Sequence, residues 1–126
     1  MLRQLTPAEI DLYTKDDPVR PHIPAEFRHS HGRQVWGLFE DRYGVMLTYD
    51  KPQAIICVAY TWDIPKDEQE LERYSNTHSR GGPLTTNTAV FYTVWSYSAG
   101  AGRQLVNTLA AHILHTRREI EQWVTL

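Results

Sequence analysis

The chain has 126 residues, of which 41% are hydrophobic and 22% charged, and its 13 basic and 15 acidic residues leave a formal net charge of −2. This size and composition are typical of one globular domain over residues 1–126, and the balanced charge argues against a nucleic-acid-binding surface. No apolar run is long enough to cross a bilayer, and acids interrupt the start of the chain where a secretory leader would be apolar. We therefore expect a cytoplasmic protein without a targeting segment. The single cysteine, Cys57, lies in an apolar run and is predicted to be a buried, unreactive thiol.

The first half of the chain predicts a strand, two short helices and a group of strands. Residues 1–5 are typical of a strand, and Thr6-Pro7-Ala8-Glu9 forms a capping box at the start of a helix. Three prolines then exclude regular structure, and a second short helix is expected from Pro24 to about Gly32. Residues 33–62 hold three apolar runs separated by turn residues, which indicates three strands.

The second half predicts helices around one strongly apolar strand. A helix is expected over Lys66–Tyr74, followed by a loop that ends in Gly81-Gly82-Pro83. Thr88–Tyr97 is apolar on both faces, which is typical of a strand in the middle of a sheet. A long amphipathic helix follows, with Leu105, Leu109 and Ile113 on one face, and the closing residues "QWVTL" start another strand. The fold class is α/β or α+β, with a mixed sheet flanked by helices.

The stretch "YSAGAG" turns the chain from the strong strand into the long helix. Small residues at a helix start leave backbone N–H groups accessible, and these groups together with the helix dipole bind phosphate. The alternative is a tight connection that needs glycine only for its backbone angles. The stretch lacks the lysine of a P-loop and the third glycine of a dinucleotide-binding fingerprint.

Residues Tyr97-Ser98-Ala99-Gly100-Ala101-Gly102 resemble the coenzyme A loop of the GNAT N-acetyltransferase superfamily, whose signature is Gln/Arg-x-x-Gly-x-Gly/Ala. The order of elements also agrees along the chain, although Tyr97 stands where the signature has Gln or Arg. The resemblance implies a GNAT-like acyl-CoA N-acyltransferase fold, with acetyl-CoA as co-substrate and direct transfer of the acetyl group to an amine. The chain ends where such a fold enters its fifth strand, which predicts either a truncated chain or a sheet closed by a homodimer.

The same resemblance implies roles for particular residues. A backbone N–H near Val94 would polarise the thioester carbonyl, and Tyr92 and Tyr97 would relay protons as catalytic residues. The diphosphate would be held by the backbone of the turn: Ser98, Ala99, Gly100, Ala101, Gly102 and Arg103. No residue stands out as the general base, and the candidates are Glu40, Asp41, Asp63 and His78.

Two other functions remain open at this stage. The chain could be a non-catalytic interaction or dimerisation module with a degenerate coenzyme-binding loop. Two histidine pairs would form a metal site if they met in space, but no carboxylate or cysteine reinforces them, so no metal is predicted. These pairs are His29 with His31 and His112 with His115.

Overall fold

A computed structural model of the chain describes residues 1–40, 51–76 and 85–126. These residues form one five-stranded sheet and four α-helices. The strands are β1 (Leu2–Gln4), β2 (Arg33–Leu38), β3 (Ala54–Thr61), β4 (Thr88–Ser96) and β5 (Gln122–Thr125). The helices are α1 (Pro7–Tyr13), α2 (Ala25–Arg28), α3 (Glu68–Ser75) and α4 (Ala101–Thr116), and a turn of 3-10 helix, Thr14–Asp16, follows α1.

The sheet is mixed and its strands lie in sequence order. Antiparallel pairing joins β1 to β2, β2 to β3 and β3 to β4, whereas β5 pairs parallel to β4. The parallel pair requires a crossover, which α4 supplies. The predicted α+β class is confirmed by this architecture.

Helices cover both faces of the sheet, and β3 and β4 therefore carry apolar residues on both sides. The helix α4 buries Leu105, Leu109 and Ile113 against one face, which includes Ile56 of β3. The other face packs against residues of the first three helices and the loop before α2. Each face thus has its own hydrophobic core, and the last strand residues of β4 lie between the two cores.

Local signals in the first helices agree with the structure in most details. The capping box is confirmed, because Thr6 Oγ1 accepts from the N–H of Glu9 and Glu9 Oε1 accepts from the N–H of Thr6. The second helix is shorter than predicted and ends at Arg28. The hydroxyl and the backbone N–H of Ser30 both donate to the Phe27 carbonyl, which closes the helix before Gly32, where φ is +83°.

The remaining elements follow the predicted order. Helix α3 is shifted by one or two residues from its predicted bounds, and β4 is an interior strand, although β3 is the middle one. The middle apolar run of residues 33–62 and the Gly81-Gly82-Pro83 loop lie outside the described residues. The buried state of Cys57 is confirmed, and burial raises the pKa of its thiol to about 11. Within the described ranges, no helix is long and apolar enough to span a membrane.

Candidate functional site

A β-bulge interrupts β4 at Tyr92. In the pairing with β3, Cys57 lies opposite Thr93 and Val58 lies opposite Phe91, so that Tyr92 has no partner on β3. The extra residue reverses the side to which the following residues point. Phe91 and Val94, three positions apart, consequently both pack on the α4 face, where a regular strand would place them on opposite faces.

The bulge lies directly after the last residue of β4 that pairs with β5. The pairing of the two strands ends at Phe91 and Thr125, and the N–H of Leu126 donates to the Phe91 carbonyl. Beyond this point β4 pairs with β3 alone among the described strands. Along a regular strand, the N–H and carbonyl groups of successive residues point alternately to the two edges of the strand. The bulge adds one residue to this alternation, so the N–H of Val94 points to the same edge of β4 as the Phe91 carbonyl. The edge of β4 on this side, from Tyr92 to Ser96, is called the outer β4 edge below.

The glycine turn leads from the outer β4 edge to α4. Gln53 holds the turn, since its carbonyl accepts from the N–H groups of Tyr97 and Ser98 at 2.8 and 3.2 Å. The N-cap of α4 is Gly100, with a φ of +79° and no side-chain cap. Apart from Gly100 and its two chain neighbours, no described residue has an atom within 4 Å of the position that a Cβ on Gly100 would occupy. The start of α4 is therefore open to a ligand on this side.

Four backbone donors of the turn have no backbone acceptor among the described residues: the N–H groups of Ala99, Gly100, Gly102 and Arg103. The N–H of Ala101 donates instead to the Ser98 carbonyl at 3.2 Å, and Ala101 is buried. Of the six positions predicted to hold a diphosphate, four thus have N–H groups available for a ligand.

Gly102 allows α4 to begin directly over the end of β4. A Cβ at this position would lie 2.5 Å from the Ser96 Oγ and 3.8 Å from the nearer methyl of Val94. Only glycine permits this approach without movement of Ser96. The glycine therefore serves the packing of α4 on β4, whereas Gly100 serves the backbone angle of the turn.

A Gly102→Ala variant is expected to lose about 1 kcal/mol of stability, because the contact with Ser96 outweighs the better helix propensity of alanine. In a Ser96→Ala background, the same change is expected to stabilise the protein by about 0.5–1 kcal/mol, since the clashing oxygen is gone. Urea denaturation of the wild type, the two single variants and the double variant measures this coupling. Additive effects would contradict the close packing described above.

The two tyrosines predicted as catalytic lie in different environments. The hydroxyl of Tyr92 is buried with no hydrogen-bond partner among the described residues, and burial raises its pKa well above the ordinary value. The hydroxyl of Tyr97 donates to Asp16 Oδ2 at 2.7 Å and accepts from the Trp95 indole at 3.0 Å. Burial, followed by the hydrogen bond to Asp16, raises the pKa of Tyr97 to about 12. Both groups are protonated near neutral pH, and their catalytic roles stay predictions.

The other candidates from the sequence are scattered. Glu40 is exposed after β2, Asp63 accepts from the N–H of the next residue, and Asp41 and His78 lie outside the described residues. His112 packs edge-on against Trp36, with ring centroids 5.3 Å apart. In the parts of the chain that the structure describes, no three His, Cys, Asp or Glu side chains are grouped for metal binding.

Sequence reasoning missed a buried network beside the bulge of β4. Asp17 and Arg28 form an ion pair of 2.8 Å in which both side chains are fully buried. Asp17 also accepts from the Thr93 hydroxyl at 2.8 Å, next to the bulge. The only sequence signal was a set of charged residues within a proline-rich loop, which is equally typical of a solvated loop.

A cavity of about 500 Å³ lies at the opposite end of the sheet. Its charged groups already have protein partners, since Arg33 donates to Ser30 and Ser75, and Arg117 pairs with Glu119 and stacks on Tyr60. We therefore place the candidate site at the start of α4 rather than in this cavity.

Comparison with solved structures identifies similar folds. The malonyl-CoA decarboxylase of Agrobacterium vitis matches with a TM-score of 0.75 and 22% identity over 100% of this chain and 32% of that one. The fold is shared with part of the malonyl-CoA decarboxylases. Those of Rhodopseudomonas palustris and Cupriavidus metallidurans match with TM-scores of 0.67 and 0.65 at 24% and 18% identity, again over the whole of this chain and 30% of theirs. The chain thus spans less than a third of the length of these decarboxylases. No protein-family model matches the sequence, and no curated protein matches it significantly.

These matches correct the sequence-based assignment. The three structures compared above are malonyl-CoA decarboxylases and not GNAT acetyltransferases, so the predicted membership of that superfamily and the predicted acetyl transfer to an amine are wrong. The physical reason is that a strand, a glycine turn and a helix specify backbone donors and an element order. Neither feature carries information about the reaction that follows binding.

Proposed function

We propose that the chain binds a coenzyme A thioester along the outer β4 edge, with the diphosphate on the start of α4. The open N-terminus of α4 carries this proposal: the 16-residue helix has Gly100 as its N-cap and no side-chain cap, and four N–H groups of the turn have no backbone acceptor among the described residues. Such donors, together with the positive end of the helix dipole, favour a bound diphosphate.

The thioester end of the ligand would lie at the other end of the outer β4 edge. Because the bulge turns the N–H of Val94 toward this edge, that N–H is suited to donate to the thioester oxygen. The pantetheine arm would then run past Ser96 to the turn at Gly100. The malonyl-CoA decarboxylases of similar fold also support a coenzyme A thioester as the ligand.

Decarboxylation of a malonyl thioester is the reaction that we assign to this site. The bond between the α-carbon and the carboxylate breaks, carbon dioxide leaves, and the electron pair spreads onto the thioester oxygen as an enolate. A backbone N–H at Val94 would stabilise the negative oxygen, and the α-carbon then takes a proton from solvent. Acetyl-CoA, predicted from the sequence as a co-substrate, would be the product of this reaction. The predicted homodimer is a separate proposal and is not needed for this chemistry.

Calorimetric titration of the 126-residue chain with coenzyme A and with pantetheine tests the binding mode. Coenzyme A is expected to bind at least about tenfold more tightly than pantetheine, since pantetheine lacks the phosphates that the α4 N-terminus would hold. Incubation with malonyl-CoA, with acetyl-CoA measured by chromatography, tests the reaction. Equal affinity for the two ligands would overturn the proposed site, and binding of malonyl-CoA without acetyl-CoA formation would overturn the reaction alone.

A further inference from the structure

The cavity at the opposite end of the sheet from the glycine turn is lined by polar side chains of three elements. Its volume of about 500 Å³ lies in the range of sites that hold small organic ligands. Gln34 of β2, Tyr60 of β3 and Arg117, which directly follows α4, all line it. It is called the Tyr60 cavity below.

Strand register brings an amide, an indole and a hydroxyl together at this cavity. Gln34 and Trp36 are two residues apart on β2, so their side chains point to the same face of the sheet. Gln34 pairs with Val58 of β3, which makes Tyr60 its diagonal neighbour. Trp36 Nε1 and the Tyr60 hydroxyl lie 3.0 and 2.7 Å from the same atom, Gln34 Oε1.

These two hydrogen bonds fix the orientation of the Gln34 amide. An indole N–H can only donate, so the amide atom that faces Trp36 must be the oxygen, and the Tyr60 hydroxyl must donate to it as well. Burial raises the pKa of Tyr60, so its hydroxyl stays a donor near neutral pH. The amide nitrogen keeps two N–H groups, which have no acceptor in the described parts of the chain. Unlike the charged groups of the cavity, this amide is therefore available to a ligand.

Arginine side chains give the Tyr60 cavity a positive charge. The Arg117 guanidinium stacks on the Tyr60 ring, 3.7 Å from its centre, and its Nε donates to Glu119 Oε1 at 3.1 Å. Arg33 lines the cavity as well, so that two arginine charges face one glutamate charge there. The combination of an oriented neutral donor and an excess positive charge favours an anion that carries hydrogen-bond acceptors.

We propose that the Tyr60 cavity binds an organic monocarboxylate, whose oxygens accept from the Gln34 amide and whose charge is balanced by Arg117. A carboxylate is planar and has two acceptor oxygens, which suits an amide nitrogen beside a guanidinium. A phosphate dianion fits less well, because one excess positive charge does not balance it and Glu119 repels it. The cavity is separate from the proposed coenzyme A site, and neither proposal depends on the other.

Titration of the isotope-labelled 126-residue chain with benzoate, followed by its side-chain NMR signals, tests the proposal. Benzoate is expected to shift the amide signals of Gln34 and the indole N–H signal of Trp36 in one saturable step. Benzamide has the same ring and a carbonyl acceptor but no charge, and it is expected to bind about tenfold more weakly. Inorganic phosphate is likewise expected to shift these signals only at concentrations about tenfold higher than benzoate.

The variant Gln34→Glu separates ligand binding from folding. Glutamate keeps an oxygen for Trp36 and Tyr60, but it removes both amide N–H groups and adds a negative charge. Benzoate binding, read from the Trp36 indole signal, is expected to weaken by at least about tenfold. Gln69→Glu is the matched control, because it adds the same charge at an exposed position of α3. This control is expected to bind benzoate within about twofold of wild type.

Several outcomes would overturn the proposal. They are the absence of shifts at Gln34, equal affinity of the wild type for benzoate and benzamide, and equal affinity of wild type and Gln34→Glu for benzoate. Phosphate binding as tight as that of benzoate would overturn the choice of a monocarboxylate. If Gln34→Glu does not fold, Arg117→Gln removes the balancing charge at a partly exposed position. It is expected to weaken benzoate binding by at least about threefold, and an unchanged affinity there also overturns the proposal.

Discussion

Replacing Asp17 by asparagine is expected to lower the free energy of unfolding by about 3–5 kcal/mol, which is the usual cost of removing one partner from a buried ion pair. The substitution keeps the shape of the side chain but leaves the Arg28 guanidinium, which is fully buried, without its counter-charge. Since a domain of this size has a total stability of about 5–15 kcal/mol, the variant should unfold at markedly lower denaturant concentration.

Urea denaturation followed by tryptophan fluorescence measures this loss. Asp11→Asn is the matched control, because Asp11 is exposed on α1 and its replacement should change stability by less than about 0.5 kcal/mol. In the double variant Asp17→Asn with Arg28→Met, neither charge remains buried, and the loss should be smaller than the sum of the two single losses. Additive losses would mean that the two charges do not interact in the folded protein.

The Asp17 contribution also has a predicted pH dependence. Burial by itself raises the pKa of Asp17, but hydrogen bonds from the N–H of Arg20, from Arg28 and from the N–H of Val19 hold the pKa below its ordinary value. A lowered folded-state pKa means that the stabilisation is complete above the unfolded-state pKa and is lost as the pH falls through the folded-state value. The stability difference between wild type and Asp17→Asn should therefore be constant near neutral pH and shrink only below about pH 4.

Short-range patterns were sufficient to predict most elements of the fold. The capping box at Thr6 and Glu9 involves only neighbouring residues, and the spacing of Leu105 and Leu109 requires one apolar helix face. The apolar composition of β4 likewise required burial on both faces. Each of these signals is contained within one element, so no knowledge of its partners was needed.

The bulge and the buried network depend on contacts that no local pattern contains. Thr93 and Asp17 are 76 residues apart in the sequence, and the Arg20 side chain donates to three acceptors that lie 48, 72 and 106 residues away. Whether a charged residue in a proline-rich loop is solvated or buried is decided by these partners. The bulge at Tyr92 is likewise a property of the pairing between β3 and β4 and not of either strand alone.

The direction of the Val94 N–H also depends on the bulge. Without the extra residue at Tyr92, the alternation of a regular strand would turn the N–H of Val94 toward β3, where it would be used in the sheet. With the bulge, the N–H of Val94 faces the outer β4 edge instead. The glycine turn was visible in the sequence because its backbone geometry requires small residues, whereas the reaction depends on groups placed by the tertiary fold.

Replacing Gly100 by aspartate is expected to weaken coenzyme A binding by about 10- to 100-fold, a loss of about 1.4–2.7 kcal/mol in binding free energy. The aspartate carboxylate would occupy the open space at the start of α4 and repel the diphosphate. Asparagine has the same shape without the charge, and both residues tolerate the left-handed conformation that Gly100 adopts. Gly100→Asn should therefore bind coenzyme A within about threefold of wild type.

This pair of variants separates binding from folding. Aspartate and asparagine are both favourable N-cap residues, and a negative charge at the start of α4 interacts well with the helix dipole. The melting temperature of ligand-free Gly100→Asp should thus equal or exceed that of Gly100→Asn, although its affinity for coenzyme A is lower. Calorimetric titration and thermal denaturation of the two variants measure these opposite trends. If wild type and both variants bind coenzyme A equally, the diphosphate lies elsewhere on the protein, because a charge at the centre of its binding site would have no effect on it.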